Sequence, residues 1–135
     1  MSIQKIDPDT LAPPHGHCQI VIARGRTVYT SGQVAIGTDE KLIGADPVDY
    51  AVQAKHTLLN VYKAVEAAGG TPADIARLMV YVADATEEHL EQVYAGIGEA
   101  FTEGGGRRSA MTLLGVSGFS NPGVVVEMDA TAVIE

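Results

Sequence analysis

Apolar residues recur at spacings of three and four through Ala51, Ala54, Leu58, Val61, Tyr62 and Val65, the period of a helix with one face on a core. Asp46-Pro47-Val48-Asp49 precedes them with an N-cap, a proline at the first helical position and an acid in the first turn, so the helix is expected to open there. Gly69-Gly70 should end it after about Ala68. Thr71-Pro72-Ala73-Asp74 then has the make-up of a single helical turn. A second stripe, Leu90, Val93, Ile97 and Phe101, follows Thr86-Glu87-Glu88, whose acids suit the positive end of a helix, and Gly104-Gly105-Gly106 stops it.

The remaining apolar runs have the length and β-branched character of strands. Residues 19–22 and 27–31 are separated by Ala23-Arg24-Gly25-Arg26, which predicts a hairpin. Residues 77–82 form one further strand, and 110–116 and 124–134 form two more, joined by the turn-rich segment from Ser117 to Gly123. The order ββαβαββ predicts an α+β fold with two helices packed on one face of a mixed sheet. Val124-Val125-Val126 and the run 78–82 are too apolar for a bare opposite face, so a symmetric oligomer is expected to cover it.

Composition narrows the function classes. At 135 residues and 46% hydrophobic, the chain fits one domain, 1–135, with a core of its own. A net charge of -8 with only nine Lys and Arg opposes non-specific binding to nucleic acid or an anionic membrane. No apolar run approaches a bilayer span and Met1-Ser2-Ile3-Gln4-Lys5 leads into no signal-type core, so a cytoplasmic location is expected. Cys18 is the single cysteine, which excludes an internal disulfide.

Two charges stand out against this background. Arg108 in Arg107-Arg108-Ser109-Ala110 and Glu127 in Val126-Glu127-Met128-Asp129-Ala130 both interrupt apolar, strand-like stretches. Burying either alone is costly, so each implies a partner or a ligand at a sheet surface or edge. A guanidinium binds a planar carboxylate through two parallel hydrogen bonds, and a nearby glutamate can orient or deprotonate a water. The same residues also fit a structural ion pair or a solvated edge charge. His15-Gly16-His17-Cys18 invites a metal site or a Cys–His nucleophile, yet His56 and His89 lie on separate helices without ligand spacing, and a lone cysteine beside a strand reads as buried. Arg107-Arg108 after three glycines lacks the strand-to-helix loop of a phosphate site.

Ser31-Gly32-Gln33, residues 60–69 ending Val65-Glu66-Ala67-Ala68-Gly69, Arg108-Ser109 and residues 127–130 follow one another in an order that resembles the Rid family, the reactive intermediate deaminases or YjgF-like proteins, over nearly the whole chain. The resemblance implies a chorismate-mutase-like fold assembled as a homotrimer with clefts between subunits. It also implies hydrolysis of enamines and imines, such as 2-aminoacrylate and related 2-imino acids, to 2-keto acids and ammonia, without a metal or organic cofactor. Arg108 would orient the substrate carboxylate and Glu127 would act on the water. Ser31, Gly32 and the backbone around Ala110 would contact the nitrogen or the tetrahedral centre.

Many family members carry a Tyr before the first strand, an Asn in the second helix and a Cys two residues after the Arg. Here His17 (Cys18 when counted back from Ser31), Tyr94 and Ala110 take those places. An imidazole at His17 could donate a proton near neutral pH. Phe119, in the last connection, would cap the cleft or pack locally. Two other readings stay open: a non-catalytic trimer that binds a keto acid or a partner protein, and the endoribonuclease activity attached to the family's name, which the acidic charge opposes.

Overall fold

The computed structural model describes residues 3–135. Six strands and two helices occur in the order β1 (Ile3–Ile6), β2 (Ile20–Ala23), β3 (Arg26–Tyr29), α1 (Tyr50–Ala67), β4 (Ile75–Ala83), α2 (Glu87–Gly104), β5 (Ala110–Val116) and β6 (Val126–Ile134), with a 3-10 turn at Pro72–Asp74 before β4. β3, β6, β4 and β5 form one sheet in that order; β4 and β5 are parallel and the other neighbours antiparallel. Both helices pack on one face of this mixed sheet, so the fold is α+β.

The alternation along the central strands decides which face is which. Leu78, Val80 and Val82 of β4 and Val126, Met128, Ala130 and Ala132 of β6 are buried against Leu58, Val61, Val65, Val93 and Ile97 of the helices. Residues one step along, Arg77, Met79 and Tyr81 of β4 and Glu127, Asp129 and Thr131 of β6, point to the helix-free face, where Tyr81 pairs with Glu127 and Met79 with Asp129. The apolar run 78–82 therefore buries alternate residues only. The helix-free face also presents Tyr29 and Leu114, 79% and 47% exposed.

The helices approach closely. A Cβ at Gly96 of α2 would meet the Ala51 carbonyl oxygen and lie 2.9 Å from the Ala54 Cβ of α1. Thr86 caps α2 by accepting from the His89 N–H at 3.2 Å, with Glu87 and Glu88 in the first turn, and Gly105 ends it in the left-handed conformation. These boundaries match the sequence pattern.

Three expectations are corrected. α1 begins at Tyr50 rather than beside Asp46: the segment turns back through a bond from the Asp49 N–H to the Gly44 carbonyl, and Asp49 is the cap, accepting from the Val52 N–H at 2.9 Å. β2 and β3 do not form a hairpin. β2 pairs with β1, a strand the sequence pattern did not suggest, whereas β3 pairs with β6. Gly25 between them has φ 147 and serves close approach, since a Cβ there would meet the Ile134 carbonyl.

Candidate active site

Ser31, Gly32 and Gln33 continue from β3 along the edge of β6. The Gln33 N–H donates to the Met128 carbonyl at 2.7 Å, the Met128 N–H returns to Gln33 at 3.0 Å, and the Thr30 N–H donates to the Ala130 carbonyl at 3.0 Å. This ladder lays Gly32 beside Glu127. A Cβ on Gly32 would contact Glu127 Oε2 and lie 2.9 Å from its Cδ, so only glycine leaves the carboxylate where it stands. Glu127 is half-buried and belongs to no ion pair among the described residues.

The polypeptide after Ser31 is tied to α1 by residues that a search for charges passes over. Asn60 donates to the carbonyls of Val34 and Ile36 at 2.8 and 3.0 Å. Fully buried Gln53 donates to the Gly44 and Gly123 carbonyls at 3.0 Å each and accepts from the Val125 N–H at 3.0 Å. Gln53, Thr57 and Asn60 recur at spacings of four and three on a helix face that is otherwise apolar, and that polar stripe was the available signal.

Arg108 lies in the connection just before β5, not within a strand. Its Nη1 donates to the His17 carbonyl at 2.8 Å and reaches Asp7 Oδ2 at 3.5 Å, and its side chain is about half exposed at 48%. Its ion-pair partner is thus Asp7, not Glu127. Next to it, the Cys18 N–H donates to the Ser109 carbonyl at 3.0 Å, which fixes the His17–Cys18 segment to the arginine's own loop. Cys18 is buried, and burial pushes its thiol pKa up against the smaller pull of Lys5. Burial likewise lowers the Lys5 pKa, with Arg108 and Arg107 adding to the effect. Lys5, Arg107 and Arg108 form a positive cluster on an acidic chain.

His17 and Tyr94 meet in a cleft of about 650 Å³ between α2 and β5, which Ile97, Phe101, Met111 and Leu113 also line. The expected residues therefore fall into two groups in one chain. Arg108, His17 and Tyr94 lie at the start and helix side of β5, while Ser31, Gly32 and Glu127 lie together at β6. Ala110, the first residue of β5, pairs with Arg77 on β4, whereas Glu127 pairs with Tyr81, four residues further along β4. Strand geometry then separates the Ala110 and Glu127 backbones by about 13 Å along the strands and about 10 Å across them. One chain does not bring Arg108 to Glu127.

Two helices packed on one face of a mixed four-stranded sheet match the fold of the Rid and YjgF proteins. The comparisons agree. A family model described as Endoribonuclease L-PSP matches residues 8–134, and the chain belongs to this family. The structure of YyfB, a Rid-family protein of unknown function from Yersinia pestis, is 30% identical with a TM-score of 0.87, over 99% of this chain and 100% of that one. The YjgF gene product of E. coli is 28% identical with a TM-score of 0.70, over 96% and 94% of the two chains. TdcF of E. coli, solved with bound serine, shares the fold at 24% identity and a TM-score of 0.71, over 96% and 94%. A RutC family protein from Haemophilus influenzae is 40% identical over 60 residues, which span 44% of each protein. No helix among the described residues is long and apolar enough to cross a membrane.

Proposed function

We propose that the chain hydrolyses 2-imino acids and their enamine tautomers to 2-keto acids and ammonia. The observation that carries this reading is the Glu127 carboxylate, backed against Gly32 on the helix-free face with no ion-pair partner among the described residues. An ion pair within the chain would occupy that carboxylate, whereas activation of a water requires it open.

Arg108 binds the substrate carboxylate. The His17 carbonyl and Asp7 hold the guanidinium, and its remaining N–H groups stay available for a bidentate contact. Glu127 accepts a proton from the water as its oxygen attacks the imine carbon. The nitrogen takes up that proton from Glu127 and a second one given up by the new hydroxyl, the C–N bond breaks with release of ammonia, and the hydroxyl oxygen becomes the carbonyl of the keto acid. An enamine enters the same sequence after protonation at its β-carbon. The imine is already electrophilic, so positioning and proton transfer suffice.

The site is completed between subunits of a homotrimer. In a cyclic trimer the Arg108 end of one subunit meets the helix-free face of the next at Glu127, which accounts for two residue groups too far apart in one chain. Exposed Tyr29 and Leu114 on the helix-free face support self-association.

The reading is tested by generating 2-imino acids with an amino-acid oxidase and trapping survivors with semicarbazide. Wild type should lower the trapped product, and Arg108→Ala and Glu127→Ala should not. Full activity in either folded variant would remove that residue from the mechanism. No hydrolysis by wild type would leave a binding protein.

A further inference from the structure

We infer that the cleft between α2 and β5 is the side-chain subsite of this centre, and that it selects 2-imino acids with a large apolar side chain, aromatic above all, over the imine of alanine. The inference rests on the deaminase reading and specifies its substrate class. Position comes first. Arg108 donates to the main chain of His17, and the same residue lines the cleft, so a substrate whose carboxylate sits on Arg108 has its side chain beside this opening.

The lining sets the chemistry. Tyr94, Ile97, Phe101, Met111 and Leu113 form the walls, His15, His17 and the Tyr94 hydroxyl bring polar atoms, and among the described residues no Asp, Glu, Lys or Arg lines it. A charged or hydroxylated substituent would lose its water there with few partners in return, whereas an apolar one gains from burial. The Tyr94 and Phe101 rings offer faces on which another ring can stack, and Met111 adapts to its shape.

The volume sets the size. About 650 Å³ lies in the usual range for a small-molecule site, and a methyl group would occupy little of it. Gly98 of α2 is an exposed lining residue of the opening, and a Cβ there would meet nothing within 4 Å, so a side chain can be added without a clash.

The test uses the whole protein. D-Amino-acid oxidase produces the achiral imines of D-alanine and D-phenylalanine in one buffer, and semicarbazide trapping gives kcat/KM for each. The phenylalanine imine should be favoured by at least about tenfold, in line with the discrimination an apolar pocket achieves. Gly98→Leu, which adds a bulky side chain at the rim of the cleft, and Tyr94→Ala, which removes a wall from an exposed position, should each cut that preference several-fold. A wild-type ratio near one, or a ratio that neither folded variant moves, overturns the subsite and leaves the deaminase reading intact. If neither imine is hydrolysed, the deaminase reading falls, and calorimetry with phenylpyruvate and pyruvate decides the subsite alone. Tighter binding of phenylpyruvate that Gly98→Leu weakens supports it, and equal binding overturns it.

Discussion

Gly32→Ala isolates the role of Glu127 without touching the glutamate. Gly32 does not have a positive φ, so alanine fits its backbone, and the bonds from Thr30 to Ala130 and from Gln33 to Met128 hold the segment on both sides. The added Cβ would lie 2.9 Å from Glu127 Cδ, where ordinary contact begins at 3.4 to 4 Å. The carboxylate ends a flexible side chain, so it yields rather than the strand, by about 0.5–1 Å, and a displacement near 1 Å at a reacting group costs on the order of 10²-fold in rate. Stability should change by less than about 1 kcal/mol, because the smaller entropy of the unfolded chain offsets the crowding. The assay pairs semicarbazide trapping with thermal unfolding followed by circular dichroism. Activity within about twofold of wild type in a folded protein would refute the claim that the position of Glu127 governs the reaction. Loss of activity together with a collapsed Tm would show that Gly32 serves the fold instead.

Two further predictions concern the scaffold. Gln53→Ala leaves the Gly44 and Gly123 carbonyls and the Val125 N–H without their partner, so urea unfolding should show a loss of about 2–4 kcal/mol; a change under about 0.5 kcal/mol would mean that the loops hold without it. Tyr62 is buried, its hydroxyl has no hydrogen-bond partner among the described residues, and burial pushes its phenol pKa up. A folded-state pKa above the unfolded value means that stability is intact below about pH 10 and falls as pH rises through the folded value. Tyr62→Phe should therefore flatten the alkaline loss of stability above about pH 10, and hold or raise stability at pH 8 by about 1 kcal/mol. A steeper alkaline loss in the variant would contradict this.

Elements whose signals are local were legible in the sequence. Helical stripes, the Thr86 cap and the glycines after Ala67 and at Gly105 gave α1 and α2 close to their observed ends, and β5 agreed at both ends. Elements set by distant partners were not. Ile3–Ile6 becomes a strand because β2 lies beside it, and the turn around Gly25 passes under the end of β6 instead of closing a hairpin. At the start of α1, Asp46 and Asp49 both have capping chemistry, and the choice between them depends on a turn closed by Gly44, which no spacing reveals. In the candidate site, Arg108, Glu127, Gly32, His17 and Tyr94 were all readable as residues. Their division into two groups was not, because it follows from strand register: Ala110 and Glu127 meet β4 at Arg77 and Tyr81.

Complementation tests the shared site most directly. Arg108→Ala and Glu127→Ala chains, each inactive alone, are unfolded together in equal amounts, refolded and assayed for imine hydrolysis. If each centre takes its arginine from one subunit and its glutamate from the next, every mixed trimer regains one intact centre, and random assembly restores about a quarter of wild-type activity. Mixed trimers of confirmed composition with no restored activity would contradict the account, because arginine and glutamate would then have to come from the same chain.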